Sequence, residues 1–194
     1  MSCPNIGAAD ADRVRAREAF GDGPIQAWLA ETARRHGIWL FAGSIPLAAS
    51  TPDKMRNSSL VFNPDGACVE RYDKVHLFGF SKGEETYDEA SFIEAGDQLV
   101  AVDTPFGRVA LSICYDLRFP ELYRALAPVD LILMPAAFTE TTGRAHWEIL
   151  LRARAIENQC YLLAVGQGGT HENGRQTHGN SMIIDPWGDI LDRK

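Results

Sequence analysis

The segment GRVALSICYDLRFPELYR (residues 107–124) places one cysteine between an apolar run and a charged, proline-containing run. The apolar run predicts a buried strand, and Pro120 predicts the first turn of a helix after it. Open α/β sheets bind ligands at the carboxyl ends of their strands, and a following helix N-terminus favours a thiolate. Cys114 is therefore either a nucleophile or a small core residue, because cysteine side chains are often simply buried.

A second candidate for chemistry is Lys74, which lies within the strand-like run RYDKVHLF (71–78). An ammonium beside a cysteine would favour the thiolate and would stabilise an oxyanion during acyl transfer. The alternative is a lysine at a strand end whose charged head reaches water. These residues alone leave both interpretations open.

The elements that must position these residues follow from the hydrophobic periodicity of the 194-residue chain, which is 45% hydrophobic. The pattern predicts helices and strands in this order: a helix from Pro24 to Gly37, a buried strand at 38–44, two strands joined by the turn 63–66, a hairpin at 105–107, a helix at 119–126, a strand at 129–136, a helix at 143–159 and closing strands near 160–167 and 181–189. The polar segment 79–97 should form a surface excursion. We expect one α/β domain, residues 1–194, with helices layered on a mixed sheet.

Composition and motif spacing exclude several function classes. A net charge of −7 argues against nucleic acid or an anionic membrane surface as a partner, and the apolar runs are too short to span a bilayer. The N-terminus has no signal-peptide pattern, so we expect a cytoplasmic protein. The four cysteines are far apart and the five histidines lack ligand spacing, so no metal site is expected.

Four segments in this order, RYDKVHLF, SICYDLRFPELYR, GRAHWEILLRARAIENQCY and NSMIIDPWGD, resemble the nitrilase or carbon–nitrogen hydrolase superfamily. The resemblance is strongest to its Nit-type amidase branch, which includes deaminated-glutathione amidases and omega-amidases, and it extends from about Gly21 to the C-terminus. It implies an α-β-β-α sandwich and catalysis without a metal or organic cofactor. It also implies a homodimer or higher homo-oligomer and a small-molecule amide as substrate.

The resemblance assigns roles to individual residues. Cys114 matches the family's nucleophile, Lys74 its catalytic lysine, and Glu89 a second glutamate that supports the lysine and the substrate. The thiolate would attack an amide carbonyl, and the oxyanion would be held by Lys74 and by the backbone N–H of Tyr115.

Four further positions are candidates for the substrate pocket or its surroundings. Arg118 either binds a substrate carboxylate bidentately or forms an ion pair with a carboxylate at position 116 or 121. Phe138, which follows the strand at 129–136, is expected to line the pocket. His146 and Trp147 form the family's His-Trp pair and are expected to pack at the start of a helix.

The chain departs from the family pattern at the general-base glutamate, which belongs to a Pro-Glu motif at the end of an early strand. The Pro-Glu pair in this sequence, Pro120–Glu121, belongs to the cysteine motif instead. Glu18 lies in an arginine-rich, weakly helical context and is not assigned the role. Measured against the pattern, an N-terminal strand–helix–strand and a C-terminal strand are missing, so a fragment is expected.

Three functions follow as hypotheses. The first is a hydrolase that cleaves a small carboxylate-bearing amide through a cysteine thioester and releases ammonia. The second keeps the fold but acts on an N-carbamoyl compound or a nitrile. The third is a catalytically inactive interaction module, because the triad glutamate is absent.

Overall fold

Helices and strands alternate along the chain in a computed structural model that describes residues 10–83 and 85–194. They confirm the predicted α/β class. The residues group into two compact units, of which the first ends at Gln98 and the second comprises Leu99–Lys194. Among the helices in the described ranges, none is both long and apolar enough to cross a membrane.

The first unit is built around a four-stranded antiparallel sheet in which β3 pairs with β1, β2 and β4. Its elements are α1 (Asp10–Arg15), α2 (Pro24–His36), β1 (Leu40–Phe41), β2 (Ile45–Ala48), β3 (Met55–Phe62), β4 (Cys68–Asp73), β5 (Gly79–Lys82), β6 (Glu85–Asp88) and a 3₁₀ helix (Glu89–Ser91).

The core of this unit lies between α2 and the sheet. Leu29 and Ala33 on α2 pack with side chains of β2 and β3, among them Leu47 and Leu60, which are fully buried. Proline is favoured in the first turn of a helix because its missing N–H would have no helical partner there. The helix ends at Gly37, whose φ of 60° is left-handed, as the sequence predicts.

The second unit contains a six-stranded mixed sheet in the order β14-β13-β10-β9-β8-β7. Its elements are β7 (Ala101–Thr104), β8 (Gly107–Leu111), a 3₁₀ helix (Cys114–Arg118), α3 (Pro120–Leu126), β9 (Leu131–Ala136), α4 (Glu140–Asn158), β10 (Tyr161–Gly166), β11 (Gly168–Thr170), β12 (Gln176–His178), β13 (Met182–Ile184) and β14 (Ile190–Arg193).

Strands β8, β9 and β10 are parallel neighbours, so their carboxyl ends lie at the same edge of the sheet. The segment after β8 carries Cys114 and the segment after β9 carries Phe138. Helix α4 packs against β10, α3 and the 3₁₀ helix, and buries Trp147 and Leu151. This edge is where parallel α/β sheets place their ligand-binding loops.

Several elements differ from the sequence expectation. The strand predicted at 38–44 is reduced to the two residues of β1, and Gly43 with its φ of 67° separates it from β2. The segment 79–97, for which the polar composition predicted only a surface excursion, contains the β5–β6 ribbon and a 3₁₀ helix. Helix α4 begins at Glu140 rather than near 143, because the Thr139 side chain caps it by accepting from the Thr142 N–H at 3.2 Å.

Candidate active site

Cys114 lies three residues after the end of β8, as the first residue of the 3₁₀ helix. Its φ is 53°, a left-handed conformation that non-glycine residues adopt at a cost of about 1–2 kcal/mol. Strain of this kind persists where the surroundings fix the backbone, and a sharp strand-to-helix turn is a known way of presenting a nucleophile. The side chain is half-buried.

Buried hydrogen bonds on both sides of Cys114 fix this turn. Asp116, which is fully buried, accepts the Ile113 N–H at 2.8 Å, and its own N–H donates to the Ile113 carbonyl at 3.2 Å. The buried Ser112 hydroxyl donates to the Leu133 carbonyl on β9 at 2.8 Å. Sequence reasoning missed these roles, because a buried polar residue is recognised by its partners rather than by its local pattern.

The far end of the 3₁₀ helix is held by α4. The Arg154 side chain, only 5% exposed, donates from Nε to the Leu117 carbonyl at 3.0 Å and pairs through Nη1 with Glu157 at 2.9 Å. Its guanidinium also lies 5.8 Å from the centre of the Tyr123 ring. Burial raises the pKa of the Tyr123 phenol far above its usual range, so this group stays neutral beneath the site.

A second feature of this edge is a group that we call the arginine cluster: Tyr115, Arg118, Phe138 and His146. The Arg118 guanidinium carbon lies 5.7 Å from the Tyr115 ring centre and 5.6 Å from that of Phe138. Its Nη2 lies 3.1 Å from Nδ1 of His146. The cluster therefore brings together three of the predicted site residues and one that was expected only to pack.

Phe138 takes part in the arginine cluster because its loop is held on two sides. Its ring lies 4.9 Å from that of Trp147, which is buried as predicted. Its carbonyl accepts the His178 N–H at 2.9 Å from the β11–β12 ribbon, and Nη2 of Arg175 in the same ribbon donates to the Ala137 carbonyl at 2.9 Å. The pattern gave no sign of this ribbon, because it is short and rich in glycine.

Lys74 and Glu89 lie together in the first unit. Lys74 follows β4, and its side chain is completely buried, with its Nζ paired to Oε2 of Glu89. The same carboxylate oxygen accepts the Phe78 N–H at 2.8 Å. A completely buried ammonium paired with a half-buried carboxylate is compatible with the roles that the resemblance implied and equally with a structural ion pair.

The backbone around Lys74 is tightly packed. Its N–H donates to the Asn57 carbonyl on β3 at 2.9 Å, and its carbonyl accepts the Gly96 N–H at 2.9 Å. A Cβ on Gly96 would lie 2.2 Å from the Asp73 carbonyl oxygen, so this close approach requires glycine. The segment carrying Gly96 is anchored in turn by Glu94, whose carboxylate accepts from the Thr51 hydroxyl at 2.7 Å.

Residues 6–193 match the sequence profile described as carbon-nitrogen hydrolase. The chain belongs to this family. Within the described ranges, no group of three or more histidine, cysteine, aspartate and glutamate side chains is arranged to hold a metal ion.

Curated and solved members of the carbon–nitrogen hydrolase family resemble the chain over most of its length. A deaminated glutathione amidase of Yersinia enterocolitica is 46% identical over 179 residues, which cover 90% of this chain and 63% of that relative. The crystal structure of the Caenorhabditis elegans NitFhit protein superposes with a TM-score of 0.86 at 41% identity, covering 97% of this chain and 47% of that one. The chain thus spans less than two thirds of the length of each of these two relatives.

A third carbon–nitrogen hydrolase bears on the cysteine. A mutant amidase from Nesterenkonia sp. AN1 carries the acetamide moiety of fluoroacetamide covalently at its active-site cysteine. It superposes with a TM-score of 0.81 at 26% identity, covering 97% of this chain and 68% of that one. Covalent chemistry at cysteine is therefore documented in a protein of this fold.

Glu18 has a structural role in this family member. It is 8% exposed, and its carboxylate accepts from the N–H groups of Ile25 at 2.6 Å and Gln26 at 3.2 Å. The Gln26 side-chain amide also donates to it at 3.0 Å. A carboxylate that caps the N-terminus of α2 satisfies otherwise unpaired N–H groups and complements the helix dipole.

Proposed function

We propose that this chain carries the nucleophile and substrate-binding elements of an amidase that acts on a small carboxylate-bearing amide through a cysteine thioester. The observation that carries the proposal is the left-handed backbone of Cys114 at the carboxyl end of β8. A cysteine held there by buried hydrogen bonds on either side is presented at the sheet edge rather than packed into the core. The family to which the chain belongs supports the same assignment.

The proposed reaction has two stages. The Cys114 thiolate forms a C–S bond to the amide carbonyl carbon, and Lys74 together with the Tyr115 N–H stabilises the resulting oxyanion. The C–N bond then breaks, and the nitrogen takes up the proton that Cys114 lost on becoming a thiolate, so it leaves as ammonia when the amide is primary. Water hydrolyses the thioester, adding its hydroxyl to the acyl carbon and returning a proton to sulfur. The ion pair with Glu89 holds the Lys74 side chain in place.

The substrate class is proposed from Arg118. A guanidinium binds a carboxylate through two parallel hydrogen bonds, and Arg118 is held between aromatic rings four residues after the nucleophile. The name of the Yersinia relative, deaminated glutathione amidase, points to an amide of a small acid as well. We assign Arg118 to the substrate carboxylate and Phe138 to the wall beside it.

The test is hydrolysis of matched substrates by the chain and by a version extended upstream to the family's Pro-Glu motif. The panel comprises a dicarboxylic acid monoamide, its neutral methyl ester, an N-carbamoyl amino acid and a nitrile. We expect the monoamide to be cleaved fastest by the extended version, and Cys114→Ala to abolish turnover. Faster ammonia release from the nitrile than from every amide would refute the assignment.

The inactive interaction module remains the second candidate, because no glutamate in this chain matches the family's general base. Rapid, selective alkylation of Cys114 by iodoacetamide at neutral pH supports the enzyme. Uniformly slow alkylation of all four cysteines supports the module.

A further inference from the structure

The contact between Arg118 and His146 in the arginine cluster has a defined direction. Arginine has only N–H donors, so the hydrogen bond at 3.1 Å runs from its Nη2 to Nδ1 of His146. His146 takes part in this contact as the acceptor, through Nδ1. His146 is exposed on α4 and therefore does not have the packing role that the sequence suggested.

The aromatic contacts of Arg118 do not by themselves fix the orientation of its guanidinium group. Tyr115 and Phe138 face the guanidinium at 5.7 and 5.6 Å between its central carbon and their ring centres. Attraction to a ring face constrains the distance of a cation but not its rotation in the plane parallel to the ring. The hydrogen bond to His146 adds the missing constraint, because it fixes where one Nη2–H points.

We propose that His146 is a positioning residue that orients Arg118 to receive the substrate carboxylate. This inference rests on the function proposed above. Arg118 offers five N–H donors, and the bond to His146 uses one of them. The remaining donors include a parallel pair that can bind a carboxylate in the bidentate geometry. Without an acceptor at position 146, the long side chain samples other rotamers and this pair is less often in place.

The contributing residues come from three separate segments of the second unit. Tyr115 and Arg118 lie on the 3₁₀ helix, Phe138 on the loop after β9, and His146 two turns into α4. A 3₁₀ helix rises about 2 Å per residue, so Cys114 and Arg118 are separated by roughly 8 Å along its axis. A carboxylate that reaches the Cys114 thiol is therefore within about one Debye length of the charged Arg118 side chain and is attracted by it.

The test compares alkylation of Cys114 by iodoacetate and by iodoacetamide, which differ in carrying a carboxylate or a neutral amide. In both reactions the sulfur forms a bond to the methylene carbon and iodide leaves, so no catalytic base for hydrolysis is needed. Rates at Cys114 are followed by peptide mass spectrometry on the folded chain. The measured quantity is the ratio of the iodoacetate rate to the iodoacetamide rate.

We expect Arg118→Met to lower this ratio about tenfold, since it removes the charge that attracts the carboxylate. His146→Leu should lower it about three- to tenfold, the range that one hydrogen bond contributes. His146→Asn should stay within about twofold of wild type, because its side-chain oxygen can accept where Nδ1 does. Ile149→Asn, an exposed change one turn further along α4, is the matched control and should leave the ratio unchanged.

Several outcomes would overturn the inference. If His146→Leu leaves the ratio unchanged while Arg118→Met lowers it, His146 does not orient Arg118, and the proposed carboxylate site stands without it. If His146→Asn falls as far as His146→Leu, or if the iodoacetamide rate falls equally, the effect is structural. If Arg118→Met leaves the ratio unchanged, the carboxylate assignment in the proposed function fails together with this inference.

Discussion

Replacing Glu89 by glutamine should destabilise the first unit more than replacing Lys74 by methionine. The two side chains differ in exposure: Lys74 has none, whereas Glu89 is 18% exposed. Glutamine keeps an oxygen for the Phe78 N–H but leaves the buried ammonium without its carboxylate. Removing one partner of a buried ion pair costs about 3–5 kcal/mol.

Replacing Lys74 by methionine should destabilise the first unit less than replacing Glu89 by glutamine. It removes the buried charge and fills much of the same space with an apolar chain. The remaining carboxylate of Glu89 keeps the Phe78 N–H and its contact with water. The cost is then about 1.5–3 kcal/mol, the range for a lost hydrogen bond between charged groups. The Lys74→Met/Glu89→Gln double variant should be more stable than Glu89→Gln alone, because it leaves no buried charge.

The assay is urea denaturation followed by circular dichroism, with hydrogen exchange of peptides from 68–96 to localise the effect. Glu31→Gln is the control, since Glu31 pairs with Arg34 at the surface, where such pairs contribute about 0–1 kcal/mol. If Lys74→Met is the more destabilising of the two single changes, or if Glu89→Gln matches the control, the reasoning from burial is wrong.

Three further predictions concern other positions. Gly96→Ala should lower the free energy of unfolding by about 1–3 kcal/mol in urea titrations, because its Cβ would overlap a backbone oxygen of β4 at 2.2 Å. Iodoacetamide at pH 7.5 should label Cys114 at least about 100-fold faster than Cys160, since burial raises the pKa of the Cys160 thiol to about 11. Hydrogen bonds from Thr51 and then from its neighbouring serine lower the pKa of Glu94 to about 2. Its contribution to stability is therefore complete above the unfolded carboxyl pKa of about 4.3 and is lost as the pH falls towards 2, so Glu94→Gln should destabilise at pH 7 and approach wild type in acid titrations.

A specific experimental result would contradict each of these three predictions. Gly79→Ala, at a position where a Cβ would meet open space, should be neutral, and an equal loss in both glycine variants would remove the overlap argument. Labelling of Cys160 at a rate near that of Cys114 would place both thiols in similar surroundings. A constant difference between Glu94→Gln and wild type from pH 7 to pH 2 would show that the carboxylate charge is not the cause.

The sequence predicted those parts of the fold that depend on local pattern. The bounds of α2 and α3, the turn at 63–66 and the strand β9 follow from proline, glycine and hydrophobic periodicity within a few residues of each position. The β5–β6 and β11–β12 ribbons were missed, because short strands without an apolar face leave no periodic signal.

For the candidate site, too, the sequence indicated some features and not others. Cys114, Lys74 and Glu89 were proposed from motifs, and the structure pairs the last two, with the Lys74 side chain completely buried. The buried carboxylate of Asp116 and the contact from His146 to Arg118 were not predicted, because each depends on which segments meet at the sheet edge. A single sequence does not give the distances between such segments.

The left-handed backbone of Cys114 has an evolutionary consequence. Glycine would occupy this conformation at lower cost, so a chain selected for stability alone would lose the cysteine. The saving of about 1–2 kcal/mol is large against the 5–15 kcal/mol by which domains are typically stable. Under the function proposed above, cysteine at position 114 favours reactivity at the expense of stability, so replacement of Cys114 by glycine should stabilise the fold while removing the nucleophile.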